Sequence, residues 1–131
     1  MSIGESTGGL PPDVLVEQED RILKDCLRVI QAHHDPSPGA MIRIGIAPCS
    51  PFSVSRELMR DAALLARDQA VMLHTHLAEN DEDVAYSLET FGCRPGNYAE
   101  DLGWTGNDVW HAHCVKLNTH EIDLFKRTNT G

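Results

Sequence analysis

The chain has 131 residues, 41% of them hydrophobic and 24% charged, with a formal net charge of −9. That length fits one domain, and the acidic balance argues against nucleic acid or an anionic membrane as a partner. No run of about 18 apolar residues is present to span a bilayer, and Met1–Gly9 has neither the basic start nor the apolar stretch of a secretion signal; a cytoplasmic location is therefore expected.

Residues 1–12 are rich in Gly and Pro and read as a loop or a frayed terminus. Gly8-Gly9 would allow the backbone to approach a ligand closely. From Asp13 to about His33 the spacing predicts a helix, with Ile22, Cys26, Val29 and Ile30 on one stripe. Glu17, Glu19 and Asp20 suit its positive end, and the run from His34 to Gly39 stops it. Met41–Ala47 reads as a strand, ended by Pro48-Cys-Ser-Pro51. Ser53 or Ser55 can cap the following helix, which carries Leu58, Ala62 and Leu65 on one face to about Gln69. A second strand runs from Val71 to His76. Asn80-Asp-Glu-Asp83 opens a helix that stops at Gly92, and Pro95–Leu102 reads as a short helical insertion. Asp108–Val115 is a third strand, and Asn118 caps a last helix to about Arg127.

Helix and strand alternate throughout. This predicts an α/β fold with parallel strands and right-handed crossovers, both sheet faces being covered. A doubly wound sheet and a (β/α)8 barrel both fit this alternation. No Gly-rich strand-to-helix loop supports a nucleotide site. The four cysteines (Cys26, Cys49, Cys93 and Cys114) form no CxxC pair, so free thiols are expected. Of the seven histidines, His33, His34 and His120 are expected at the surface, and the other four fall at strand ends.

Those four carry the chemistry. In parallel folds functional residues gather at the carboxyl ends of strands. Here successive strands end in Ala47-Pro-Cys-Ser50, His74-Thr-His76 followed by Glu79, and His111-Ala-His113. Side chains two apart on a strand share a face, so His74 and His76 are expected to point one way. A neutral imidazole at a strand tip can bind a metal, and a nearby carboxylate can move a proton to or from metal-bound water. The competing reading is a small non-catalytic α/β domain, or an inactive truncated product, that binds a partner through its exposed sheet edge or metal, without turnover, through His74, His76, His111 and His113.

The runs Ser6–Asp13, Ala47–Val54, Leu73–Asn80 and Trp110–Cys114 together resemble the deaminase branch of the amidohydrolase superfamily, metal-dependent (β/α)8-barrel hydrolases. The resemblance implies that His76 is a metal ligand, of zinc or another divalent metal such as iron. It implies that Glu79 shuttles a proton from the attacking water to the substrate ring and leaving amine. It implies that His113 orients the metal-bound hydroxide and the substrate. Cys49 and Ser50, with His111, fall on the substrate side. Guanine deaminases carry a base-reading Arg at the Cys49-Ser50 loop; its absence here fits a modified purine or an aminotriazine. The implied substrate is a small heterocyclic amine, and the implied parent enzyme a homo-oligomer. The family also requires a His-x-His pair on its first strand and an Asp on its eighth. Neither is in the chain, and a whole barrel takes about 250 residues. Residues 1–131 are therefore expected to be a single internal segment, about strands four to six of a partial barrel, with little activity alone.

Overall fold

A computed structural model describes all 131 residues. Its centre is a three-stranded parallel sheet, β1 (Gly45–Ile46), β2 (Met72–Leu77) and β3 (Val109–His113), in that spatial order. Around it lie α1 (Glu19–His33), α2 (Arg56–Asp68), α3 (Asp81–Phe91), α4 (Pro95–Asp101) and α5 (Thr119–Thr128). The alternation predicted this order, because parallel neighbours need a crossover element between them.

Short polar side chains set the helix starts. Ser55 Oγ accepts the Leu58 amide at 2.9 Å and Asn80 Oδ1 accepts that of Asp83 at 2.9 Å. Asn118 and Glu121 form a reciprocal capping box. Ser53 is not a cap: its hydroxyl accepts the Ser50 amide and donates to the Ser50 carbonyl. His34, expected at the surface, accepts the Ile44 amide through Nδ1 at 3.0 Å and so anchors the approach to β1. All four thiols are free.

Strand alternation divides the sheet into two unlike faces. Ile46, Leu73, Thr75, Leu77, Val109 and His111 point to the helices and are buried. They meet Leu58, Met59, Ala62, Ala63 and Ala66 of α2, Leu124 and Phe125 of α5, and Trp104. Burying a side chain such as Leu58 contributes about 2 kcal/mol. Trp104 is fully buried, and its indole N–H donates to the Met59 carbonyl at 2.8 Å. The opposite face carries Met72, His74, His76, Trp110 and Ala112, none of them buried. The expectation that both faces are covered thus holds for one face only, within this chain.

Two further expectations change. The first strand pairs over only Gly45–Ile46, with Met41 and Ile42 exposed, because β1 is an edge with a ladder on one side. The N-terminus is not frayed. The Ser2 amide donates to the Ser53 carbonyl, the Leu10 amide to the Phe52 carbonyl and the Glu17 amide to the Met1 carbonyl. Gly9 is buried, and a Cβ there would lie 2.7 Å from the Ile3 carbonyl oxygen; only glycine fits that approach.

Candidate active site at the strand ends

The carboxyl ends of β2 and β3 bring three of the expected residues together. His76 stands on the open face, with its ring centroid 5.3 Å from that of His113. His113 Nε2 lies 3.5 Å from Glu79 Oε2.

His76 is oriented from below. Its Nδ1 lies 2.5 Å from the Cys49 carbonyl oxygen, and its backbone amide donates to the same oxygen at 3.1 Å. A carbonyl can only accept, so Nδ1 carries the proton and the Nε2 lone pair is left free. This is how a metal-binding histidine is usually held, so His76 fits the role of a zinc ligand. Cys49 therefore meets His76 through its main-chain carbonyl. Deeper in the same face, His74 gives its Nδ1 proton to the Trp110 carbonyl at 3.1 Å and stacks on the Trp110 indole at 4.8 Å.

Glu79 and His113 reach the site through strained bends. Ala78 has φ +50°, His113 +71° and Cys114 +54°. Left-handed backbone at a non-glycine residue costs on the order of 1–3 kcal/mol. The bends are tied to each other: the Cys114 amide donates to the Leu77 carbonyl and the Lys116 amide to the Ala78 carbonyl, both at 2.9 Å. On the helix side, Asp83 Oδ2 accepts the Glu79 amide at 3.0 Å.

The bend at His113 breaks the alternation of β3. In register, Leu77 lies opposite His113 and Thr75 opposite His111, so plain alternation would send both histidines to the helix side. Only His111 goes there. It is 9% exposed, and its Nε2 donates to the Trp104 carbonyl at 3.0 Å. Burial pushes its pKa down to about 4, against a smaller upward pull from that hydrogen bond. His111, expected on the substrate side, thus packs on the helix side of the sheet. Ser50 is brought to the strand end but is buried, and its hydroxyl has no hydrogen-bond partner. No three His, Cys, Asp or Glu side chains of the chain converge closely enough to hold a metal ion by themselves.

Residues that motif reading passed over complete the surroundings. A small pocket beside His76 is walled by Phe52, Asp83, Tyr86 and Phe91. The Tyr86 hydroxyl donates to the Gly8 carbonyl at 2.7 Å, so the Gly-rich loop reaches this wall. Nothing in the spacing of Phe52 and Tyr86 marks them, since they meet only in the folded chain, edge to face at 6.1 Å.

The amidohydrolase family profile matches residues 6–131. The chain belongs to the amidohydrolase family. Over 131 residues it is 43% identical to 8-oxoguanine deaminase of Pseudomonas aeruginosa, covering 100% of this chain and 29% of that protein. Over 124 residues it is 38% identical to hydroxydechloroatrazine ethylaminohydrolase of Pseudomonas sp. strain ADP, covering 95% and 25%. Among solved structures, the atrazine chlorohydrolase of Arthrobacter aurescens TC1 complexed with zinc superposes with a TM-score of 0.94 at 36% identity, covering 100% of this chain and 29% of that one. The three parallel strands thus match part of an amidohydrolase barrel, and the chain spans less than a third of the length of these relatives. No helix of the chain is long and apolar enough to cross a membrane.

Proposed function

We propose that these residues form one segment of a metal-dependent aminohydrolase that removes the amino group of a modified purine or an aminotriazine, with 8-oxoguanine as the leading substrate. One observation carries this reading: Glu79 and His113 face each other at 3.5 Å beside a histidine whose metal-binding nitrogen is free. The similarity to 8-oxoguanine deaminase over the whole chain supports the substrate class.

In this reading His76 is one ligand of a zinc ion, or of another divalent metal such as iron, whose remaining ligands come from outside the chain. When bound, the metal would supply a water acidified to near neutral pH. Glu79 takes a proton from the attacking water and gives it to the ring nitrogen, then takes a second from the added hydroxyl and gives it to the amine, which leaves as ammonia, as a carboxylate within reach of these atoms can do. His113 presents Nε2 to the same space and orients the attacking group and the substrate. The loop at Cys49-Ser50 lies on the substrate side. Because a catalytic zinc usually needs about three protein ligands, residues 1–131 alone bind zinc weakly and turn over little.

Ammonia release from 8-oxoguanine, other aminopurines and aminotriazines by the complete zinc-loaded protein tests the proposal. Turnover of one of these, lost in Glu79→Gln, is the expected result. A zinc-loaded protein that releases ammonia from none of them overturns it. Stoichiometric zinc binding and turnover by the 131-residue chain alone would overturn the statement about the segment.

A further inference from the structure

The site depends on two left-handed strand ends that contain no glycine, and something must hold them. Their cross-links run through the loop 114–118, because Cys114 and Lys116 donate to Leu77 and Ala78. That loop is gripped by one side chain from outside the site. Arg94, just before α4, donates through Nη2 to the Lys116 carbonyl at 2.6 Å. Its Nε donates at 2.8 Å to Glu121, whose side chain is fully buried. Glu121 also accepts the Gly96 and Asn118 amides, each at 2.8 Å. The Arg94 fork therefore ties the loop to a carboxylate anchored by α4 and α5.

We infer that Arg94, braced by Glu121, is a positioning residue that holds the 114–118 loop against β2 so that Glu79 and His113 stay face to face. The chain of contacts is continuous. Arg94 fixes the Lys116 peptide, the Lys116 amide fixes the Ala78 carbonyl, and Glu79 is the next residue. Cys114, the next residue after His113, is fixed to Leu77 in the same way. A lysine at position 94 would keep the charge beside Glu121 but lacks the planar fork that serves both acceptors. The inference rests on the aminohydrolase reading for its catalytic consequence, but not for its geometry.

The test uses the complete protein with two variants. Arg94→Met/Glu121→Gln removes both charges together, so no unpaired charge is left buried. Arg94→Lys keeps the ion pair and guards against a fold failure of the first. Three quantities are read in each: amide hydrogen exchange at Cys114 and Lys116, the response of the His113 ring resonances to Glu79→Gln, and kcat and KM for ammonia release. The expected result is exchange at least 10-fold faster at both amides with α2 amides unchanged. The His113 response is lost, and kcat falls about 10-fold or more with KM within twofold. Unchanged exchange and an unchanged His113 response in both variants overturn the inference. So does a normal kcat once those couplings are lost. If the parent protein releases no ammonia, the aminohydrolase reading falls by itself, and the first two readouts still decide whether Arg94 positions the pair.

Discussion

β2 and β3 both end in His-x-His, and the two ends fold differently. In β2 both imidazoles keep to the open face, as a period of two requires. They lie 5.6 Å apart by ring centroid, and each gives its Nδ1 proton to a carbonyl of a neighbouring chain segment. In β3 the same motif is split across the sheet. His111 obeys the pleat and is buried against Phe125 at 5.2 Å. His113 leaves the pleat at φ +71° and joins His76. Equal spacing in sequence therefore does not give equal chemistry: one pair has two rings on the open face, the other one ring for the core and one for the site.

The difference is tested most strongly at Glu79, the partner that only His113 reaches. Removing a proton-transfer group typically costs 10²–10⁴-fold in rate. Glu79→Gln should lower kcat of the complete protein by that range while leaving its unfolding midpoint unchanged, since the side chain is about half exposed. A variant within threefold of the parent would remove Glu79 from proton transfer.

Within β2 the two histidines should also separate. His76→Ala removes the free Nε2 and should lower zinc affinity by at least 10-fold in a competitive chelator titration. His74→Ala removes a ring that stacks on Trp110 one layer deeper, and it should leave zinc affinity within threefold. Equal losses from both substitutions would mean that His74 shares the metal.

Within β3 the buried histidine should be visible as acid lability. The folded-state pKa of His111 is lowered from 6.5 to about 4 by burial. Its folded form stays neutral while the unfolded chain takes up a proton. The stability from burying the neutral ring is thus fully present above about pH 6.5, declines as pH falls toward 4, and levels off below. The shift corresponds to about 3 kcal/mol. Denaturant titrations at pH 7.5 and pH 4.5 should show a fall of that order in the parent and a smaller one in His111→Asn. Equal falls would place the acid-labile group elsewhere.

How far these differences could be read from sequence depends on what encodes them. Helix stripes, the caps Ser55, Asn80 and Asn118, and the strand order follow from periodicity and short polar side chains, so they were legible. His76 and Glu79 were legible as a motif, and their neighbourhood with His113 as a resemblance. The split of His111 from His113 was not, because it rests on left-handed backbone at a histidine and a cysteine. Such backbone is usually marked by Gly or Asn, and neither stands there. The pinned N-terminus was equally hidden, since its partners Ser53, Phe52 and Tyr86 lie more than 40 residues away in the chain. Arg94 and Glu121 gave no signal either, because a half-buried pair 27 residues apart looks in sequence like two surface charges.

The smallest expected effect concerns the helix side of the Glu79 bend. Asp83 accepts the Glu79 amide, while its own amide is taken by Asn80. Two hydrogen bonds thus brace the backbone on either side of the α3 N-cap, and Asp83 also sits in the positive field of the helix start. Asp83→Ala removes one of these bonds and a favourable charge, for a loss of about 1 kcal/mol. Its catalytic effect should be small, because the Lys116–Ala78 bond still holds the other side of the bend. The expected outcome is a drop in kcat of about threefold or less, together with faster exchange of the Glu79 amide. Asp83→Asn, which keeps an acceptor at that position, should restore both. A 100-fold drop in Asp83→Ala that Asp83→Asn does not rescue would mean that the carboxylate acts on the reacting groups themselves. The assignment of proton transfer to Glu79 alone would then fail.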